Sequence, residues 1–156
     1  MIRILIVGTG GMAQTHASEY AAIDGVTVVA GVDVNAANLA AFRAKFNIEH
    51  GFQSMDDALA WGQFDAVSNV TPDAIHHRTT LPFLAAGKHV LCEKPLAANH
   101  ADASEMAAAA QAAGVVNMVN LTYRQGAAMI RAAKMVAAYG QRQNGQVSGE
   151  CHGQNE

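Results

Sequence analysis

The chain has 156 residues, a size that fits one ordinary domain, and 51% of them are hydrophobic, enough to bury a core. Its charged fraction of 15% and formal net charge of −3 argue against a nucleic-acid-binding protein, which normally carries a basic stripe. No apolar run approaches the roughly 20 residues that span a bilayer, so we expect no membrane segment. Because Cys92 and Cys151 form neither a metal spacing nor a disulfide framework, we expect no metal site and a reduced, cytoplasmic protein.

Apolar strand-like segments alternate with alanine-rich helical segments along the chain. Strands are predicted at 2–7, 26–32, 49–52, 65–70, 89–92 and 115–119, and helices at 11–22, 36–46, 55–61, 74–86, 100–113 and 126–139. Asn35, Ser54 and Asn99 are expected to cap three of these helices, because short polar side chains accept bonds from the free N–H groups there. Six strands joined by helices predict an α/β fold, a doubly wound and mostly parallel Rossmann sheet with helices on both faces.

A glycine-rich turn lies between the first strand and the first helix. Gly8 permits the tight turn, Gly10 lets the backbone approach a pyrophosphate, and Ala13 is small enough for the helix to pack closely on the strand. The start of the helix offers unpaired N–H groups to the phosphates. Asp33 ends the second strand, where a carboxylate accepts hydrogen bonds from ribose hydroxyls. The pattern predicts a dinucleotide site that contains Gly8, Gly10, Gly11, Met12 and Asp33.

The residues after Asp33 bear on which dinucleotide binds. A carboxylate repels the 2′-phosphate of NADP, and Val34, Asn35 and Ala36 supply no arginine to offset that repulsion. We therefore expect NAD rather than NADP. Two other interpretations of the turn stay open. One is a simple link between strand and helix, and the other is an S-adenosylmethionine site, which also combines a glycine turn with an acid after the second strand.

Two further polar segments follow later strands. Thr71-Pro72 comes where the fourth strand meets its helix, and Glu93-Lys94-Pro95 occupies the matching end of the fifth. Ligands of open α/β sheets bind at these carboxyl ends. Lys94 is suited to donate to a substrate hydroxyl and to stabilise a developing alkoxide, and the Lys94–Pro95 bond is a candidate for the cis form. One helical turn beyond Pro72 lie His76 and His77, and for His77 a place in the cleft and a place in solvent are equally compatible with the pattern.

Together these segments resemble the N-terminal half of the Gfo/Idh/MocA oxidoreductase family, which includes glucose–fructose oxidoreductase and inositol dehydrogenase. The resemblance covers about residues 2–147. The matching motifs are Gly8-x-Gly10-Gly11-Met12-Ala13 with His16, then Asp33, then Asn69-Val70-Thr71-Pro72-Asp73-x-x-His76, then Gly87-Lys88-His89-Val90-Leu91-Cys92-Glu93-Lys94-Pro95-Leu96, and finally Asn120-x-x-Tyr123-Arg124. The last motif departs from the family's Asn-Tyr-Arg by two extra residues.

The resemblance implies NAD(P)-dependent hydride transfer on a sugar, cyclitol or related polyol. It implies that Lys94 is catalytic and contacts both the reacting hydroxyl and the nicotinamide end. Thr71, Pro72 and His76 would then lie along the cofactor, with Glu93 near the nicotinamide ribose. The substrate's identity stays open, as do the roles of His77, Tyr123 and Arg124.

The end of the chain differs in composition from the rest. We assign residues 1–140 to an NAD(P)-binding Rossmann domain and 141–156, rich in Gln, Asn and Gly, to a polar tail or the start of a further domain. The resemblance implies a second α+β domain with most of the substrate pocket, and we expect this chain to lack it, which is a departure from the family. We therefore expect cofactor binding with little or no turnover, and apolar surface left uncovered would favour self-association. A stand-alone dinucleotide-binding module is the alternative.

Overall fold

The computed structural model describes residues 1–124 and 126–149. Six strands and six helices alternate along these residues. They are β1 (Ile2–Val7), α1 (Gly11–Ala21), β2 (Val26–Val32), α2 (Ala36–Phe46), β3 (His50–Phe52), α3 (Met55–Trp61), β4 (Ala66–Asn69), α4 (His76–Ala85), β5 (His89–Glu93), α5 (His100–Ala113), β6 (Asn117–Asn120) and α6 (Ala127–Gly149). A single turn of 3₁₀ helix, Asp73–Ile75, precedes α4.

The six strands form one sheet in the order β3-β2-β1-β4-β5-β6, and every neighbouring pair is parallel. This confirms the predicted doubly wound α/β sheet. The strand order reverses between β1 and β4, which are hydrogen-bonded neighbours in the middle of the sheet. A ligand of an open α/β sheet binds outside the carboxyl ends of the strands at such a reversal. The loops after β1 and β4 are therefore the place to look for a site.

The central strands of the sheet are buried on both faces, as their continuous apolar runs predict. Alternate residues of β1 supply two separate cores, because successive side chains of a strand point to opposite faces. Leu5 and Val7 pack with Phe83 of α4 and Met106 of α5 on one face. On the other face, the apolar cluster contains Ile4, Ile6, Ala13, Ala17, Phe42 and Ile48. Ala13, fully buried, lets α1 lie close to the sheet beside the glycine turn.

The three predicted caps are confirmed. The Asn35 side chain accepts from the N–H groups of Ala37 and Asn38, and the Ser54 and Asn99 side chains each accept one bond at the start of α3 and α5. Each cap satisfies backbone donors that the first turn of a helix leaves free. Helix starts were therefore predictable to within a residue at these positions.

The last strand and the last helix differ in instructive ways from the prediction. The last strand begins at Asn117 rather than Val115, because the Val115 N–H bonds the carbonyl of Ala110 and closes α5 instead. The last helix continues to Gly149 rather than ending near Tyr139. A glycine inside a helix costs only about 1 kcal/mol, so it does not by itself end one. The expected polar tail, 141–156, is thus helical as far as Gly149, and 150–156 lie outside the described residues.

Contacts divide the chain into two compact units, with the boundary after Asn120. The first unit, Met1–Asn120, contains the whole sheet and α1 to α5. The division into 1–140 and 141–156 made from composition stays a prediction. Among the described helices, none combines the length and apolarity that crossing a bilayer requires.

Candidate functional site

The carboxyl ends of β1, β2 and β4 surround a cavity of about 790 Å³ in the first unit. That volume falls within the range of small-molecule and cofactor pockets. Seven of the ten residues predicted to hold the cofactor line it, namely Gly8, Gly10, Gly11, Met12, Asp33, Thr71 and Pro72. The other three, His76, Glu93 and Lys94, are not among its lining residues.

Gly8 lies where the loops after β1 and β4 come closest together. Its φ is +86°, a left-handed conformation that side chains rarely adopt. A Cβ on Gly8 would lie 3.0 Å from the Val70 carbonyl oxygen and 3.1 Å from backbone atoms of Thr71. At Gly10 and Gly11, by contrast, an added Cβ would meet nothing within 4 Å. Gly8 is therefore required by the fold, whereas Gly10 and Gly11 leave open space in front of the start of α1, where a pyrophosphate fits.

Asp33 fixes the glycine turn as well as facing the cavity. Its Oδ2 accepts bonds of 2.8 Å from both the N–H and the hydroxyl of Thr9, and its Oδ1 accepts one of 2.8 Å from the Asn35 N–H. A carboxylate has about four acceptor positions, so these three bonds leave Oδ1 with one to spare. That position is the one a ribose hydroxyl could use.

The Thr71-Pro72 turn is held in place by Asn69 at the end of β4. The Asn69 Oδ1 accepts from the Thr71 N–H at 3.2 Å and from its hydroxyl at 2.8 Å. The Asn69 Nδ2 in turn donates to the hydroxyls of Thr79 and Thr80 on α4, at 2.9 and 2.8 Å. Because Asn69 is fully buried, this wall of the cavity is joined rigidly to β4 and α4.

The loop after β5 carries the predicted catalytic lysine. Lys94 is exposed, and within the described residues its ammonium has no hydrogen-bond or ion-pair partner. The peptide bond from Lys94 to Pro95 is cis, which confirms that prediction. An unpaired ammonium on this edge is free to donate to a hydroxyl of a ligand.

Glu93 is buried in a polar network rather than lying on the cavity wall. Its Oε1 accepts from His16 Nε2 at 3.0 Å and from Asn120 Nδ2 at 2.6 Å, while Oε2 accepts from the Lys94 N–H at 3.2 Å. Beyond His16 the network continues through Ser68, whose Oγ lies 2.8 Å from His16 Nδ1. Glu93 therefore holds the backbone of Lys94.

Charges in this network follow from its burial and its donors. Burial by itself raises the pKa of Glu93, but bonds from Asn120, His16 and the Lys94 N–H more than offset it, so that pKa lies below its ordinary value. Burial raises the pKa of Tyr20, with a smaller opposing effect from its bond to Ser68. Burial likewise raises the pKa of Cys92 to about 11, so this thiol stays protonated and unreactive.

His76 and His77 are neighbours with different surroundings. His76 is fully buried, and both of its ring nitrogens lie within hydrogen-bonding distance of backbone carbonyl oxygens. His77 is paired with Glu105 of α5 at 2.8 Å. Tyr123 and Arg124 belong to the second unit, and their roles stay open.

Several cavity residues escaped sequence reasoning. They include Asn38 of α2, the segment Gln53–Asp56 after β3, and Ile75 and Arg78 beside the Thr71 turn. The general signal for the segment after β3 was available, since it too follows the carboxyl end of a parallel strand. Arg78 gave none, because only the packing of α4 brings this exposed cation to the cavity that Asp33 also faces.

Known proteins are similar to this chain in sequence and fold. The family model GFO_IDH_MocA, an oxidoreductase family with an NAD-binding Rossmann fold, matches residues 2–121. The scyllo-inositol 2-dehydrogenase (NADP(+)) IolU of Bacillus subtilis is 38% identical over 118 residues, which are 76% of this chain and 36% of that protein. The inositol 2-dehydrogenase of Leifsonia xyli is 39% identical over 103 residues, 65% of this chain and 30% of that protein.

Among solved structures, the WlbA dehydrogenase from Bordetella pertussis in complex with NADH and UDP-GlcNAcA superposes with a TM-score of 0.83 at 31% identity, covering 88% of this chain and 42% of that one. GenD2 from gentamicin A biosynthesis, in complex with NAD, gives a TM-score of 0.81 at 29% identity, covering 87% and 39%. The chain thus spans well under half the length of each of these proteins.

Proposed function

This chain belongs to the oxidoreductase family with an NAD-binding Rossmann fold, and we propose that it is the cofactor-binding part of a dehydrogenase acting on a sugar, cyclitol or related polyol. The observation that carries the proposal is the cavity at the reversal of strand order, bounded by the glycine turn, Asp33 and the Thr71-Pro72 turn. The substrate class rests on relatives such as the inositol and scyllo-inositol dehydrogenases.

Each part of the site has a proposed role. The open space at Gly10 and Gly11 receives the pyrophosphate, and the spare acceptor position of Asp33 takes a ribose hydroxyl. The cofactor supplies the nicotinamide ring that accepts or gives up the hydride. Lys94 donates a hydrogen bond to the reacting hydroxyl and stabilises negative charge at that oxygen. Glu93 orients the Lys94 backbone through the bond between its Oε2 and the Lys94 N–H.

We propose further that these 156 residues bind the cofactor but sustain little or no turnover by themselves. The chain spans 36% of the length of the Bacillus dehydrogenase, and hydride transfer also needs a surface that holds the substrate in van der Waals contact with the nicotinamide. A stand-alone dinucleotide-binding module is the second candidate. Such a module would bind the cofactor equally well but would show no turnover, even together with other protein domains. We propose as well that the protein is cytoplasmic. We also propose that it self-associates through the exposed side chains of Val116, just before the edge strand β6, and Met118, within it.

Calorimetric titration of the chain tests the binding function. We expect one NAD to bind per chain and S-adenosylmethionine not to bind. Gly10→Ala should weaken NAD binding at least about tenfold, the equivalent of roughly 1.4 kcal/mol. Its thermal stability should hardly change, because φ at Gly10 is −77° and the added Cβ meets nothing. Absence of NAD binding by the folded wild-type chain would contradict the proposal, and steady polyol-dependent NADH formation by the chain alone would contradict the expected lack of turnover.

Cofactor preference gives a separate prediction. We expect NAD to bind more tightly than NADP, because the Asp33 carboxylate repels the 2′-phosphate. Asp33→Asn removes that charge and should bring the dissociation constant for NADP closer to the one for NAD. Arg78→Ala removes an exposed cation from the same cavity and should increase the difference between the two dissociation constants. Parallel titrations with both dinucleotides measure these ratios, and equal affinity of the wild type for NAD and NADP would overturn the preference.

A further inference from the structure

His76 links the two loops that the proposed function uses. It is the first residue of α4 and is fully buried. Its Nε2 lies 2.8 Å from the carbonyl oxygen of Thr71, in the loop after β4. Its Nδ1 lies 2.7 Å from the carbonyl oxygen of Pro95, in the loop after β5. The ring therefore spans the gap between the cavity wall and the lysine loop.

The chemistry of this bridge is defined by its two acceptors. A carbonyl oxygen only accepts hydrogen bonds, so each ring nitrogen must carry a hydrogen for its contact to be a bond. A neutral imidazole carries a hydrogen on one nitrogen only. A ring with one hydrogen donates to one of the two carbonyls and packs against the other, and in either tautomer the ring lies between the two loops.

One side of the bridge is rigid. Thr71 is bonded through its N–H and hydroxyl to Asn69, and Asn69 is bonded to Thr79 and Thr80 of α4. The carbonyl of Thr71 therefore has a fixed position relative to the sheet and α4. The ring of His76 connects the Pro95 carbonyl to this fixed frame, and Lys94 is the residue next to it.

We propose that His76 is a positioning residue that sets the spacing between the Thr71 wall of the cofactor cavity and the Lys94–Pro95 loop. It acts through the two carbonyl groups and not by touching the cofactor, which replaces the direct contact expected from the sequence resemblance. This inference rests on the proposed dinucleotide function. It adds that one buried ring fixes the distance between the part of the site that binds adenosine and the part that binds nicotinamide.

Comparing NAD with ADP-ribose separates positioning from a general structural role. ADP-ribose lacks only the nicotinamide ring, so the difference between the two affinities reports on the contacts of that ring. His76→Leu keeps a similar volume but removes both ring nitrogens, and we expect it to weaken NAD binding about tenfold, the effect of one lost hydrogen bond. The affinity for ADP-ribose should change less than about twofold, which is small beside the tenfold change expected for NAD. His77→Leu is the matched control on the same helix, and both affinities should be unchanged.

The outcomes are distinct. If the wild-type chain binds ADP-ribose and NAD equally, the proposed role of the lysine loop fails. If it binds neither ligand, the proposed dinucleotide function of the cavity fails. If wild type binds NAD more tightly than ADP-ribose and His76→Leu keeps that difference in affinity, the positioning role is wrong. It is also wrong if His76→Leu weakens the binding of both ligands in parallel. Added imidazole should restore NAD affinity to His76→Ala. Nitrogen-15 NMR of the wild-type chain should detect a His76 ring N–H protected from exchange with water by its bond to a carbonyl, and a freely exchanging ring there would overturn the bridge even if the variants fail to fold.

Discussion

Gly8→Ala should lower the free energy of unfolding by about 3 kcal/mol, measured by urea denaturation. Two costs add at this position. A left-handed backbone costs an L-residue about 1–2 kcal/mol. Forcing a new atom into a packed region costs about 1–3 kcal/mol. The φ of Gly8 is +86°, and the added Cβ would lie 3.0 Å from the backbone oxygen of Val70, an atom that cannot move without distorting β4.

Gly25→Ala provides the matched control for this variant. Gly25 has nearly the same φ, +81°, but a Cβ there would meet nothing within 4 Å. It should therefore carry the backbone cost alone, about 1–2 kcal/mol. The difference between the two variants isolates the close approach of the β1 and β4 loops. Equal losses in Gly8→Ala and Gly25→Ala would mean that this approach is looser than the structure has it.

Gly8 is one of several local signals from which much of the fold could be predicted. Continuous apolar runs, glycine turns and Asn or Ser caps are local signals, and each reflects a local cause. The bounds of β1 and β2 follow directly from such runs, and α2 and α5 begin where their caps predict. Seven cavity residues were also predictable, because parallel strands place their carboxyl ends along a common edge.

The remaining parts of the site depend on contacts between distant residues. His16 and Glu93 are 77 positions apart, and nothing near either one predicts that they pair in the interior. The burial of His76 is equally hidden, since an exposed and a buried histidine look alike at the start of a helix. Arg78 reaches the cavity only through the way α4 packs. Sequence patterns therefore located the glycine turn well but gave no signal for the buried contacts of Glu93 and His76 behind the lysine loop.

The buried pair of His16 and Glu93 leads to the second large expected effect. His16→Ala should destabilise the chain by about 3 kcal/mol, because removing one partner of a buried pair leaves the other poorly compensated. Glu93 would keep Asn120 and the Lys94 N–H but lose the donor at 3.0 Å. Ser68 would keep its bond to Tyr20 but lose the one to His16 at 2.8 Å. Urea denaturation at neutral pH measures the loss.

The stabilisation by Glu93 also has a defined dependence on pH. Its pKa in the folded chain lies below the ordinary value, since bonds from Asn120, His16 and the Lys94 N–H outweigh burial. The ionised form therefore stabilises the fold fully above the unfolded pKa of about 4.3. That contribution disappears as the pH falls through the lower folded pKa. Wild type should accordingly lose its advantage over Glu93→Gln below about pH 4.3, and not above it.

His77→Ala is the control that gives the His16 result its meaning. His77 and Glu105 form a pair of similar length, 2.8 Å against 3.0 Å, but the side chain of Glu105 is 62% exposed whereas that of Glu93 is 8% exposed. An exposed pair contributes at most about 1 kcal/mol. If burial is what makes the network important, His16→Ala must cost much more than His77→Ala. Similar costs for the two variants would mean that water replaces His16 beside Glu93, and that Lys94 is held by its own loop and not by this network.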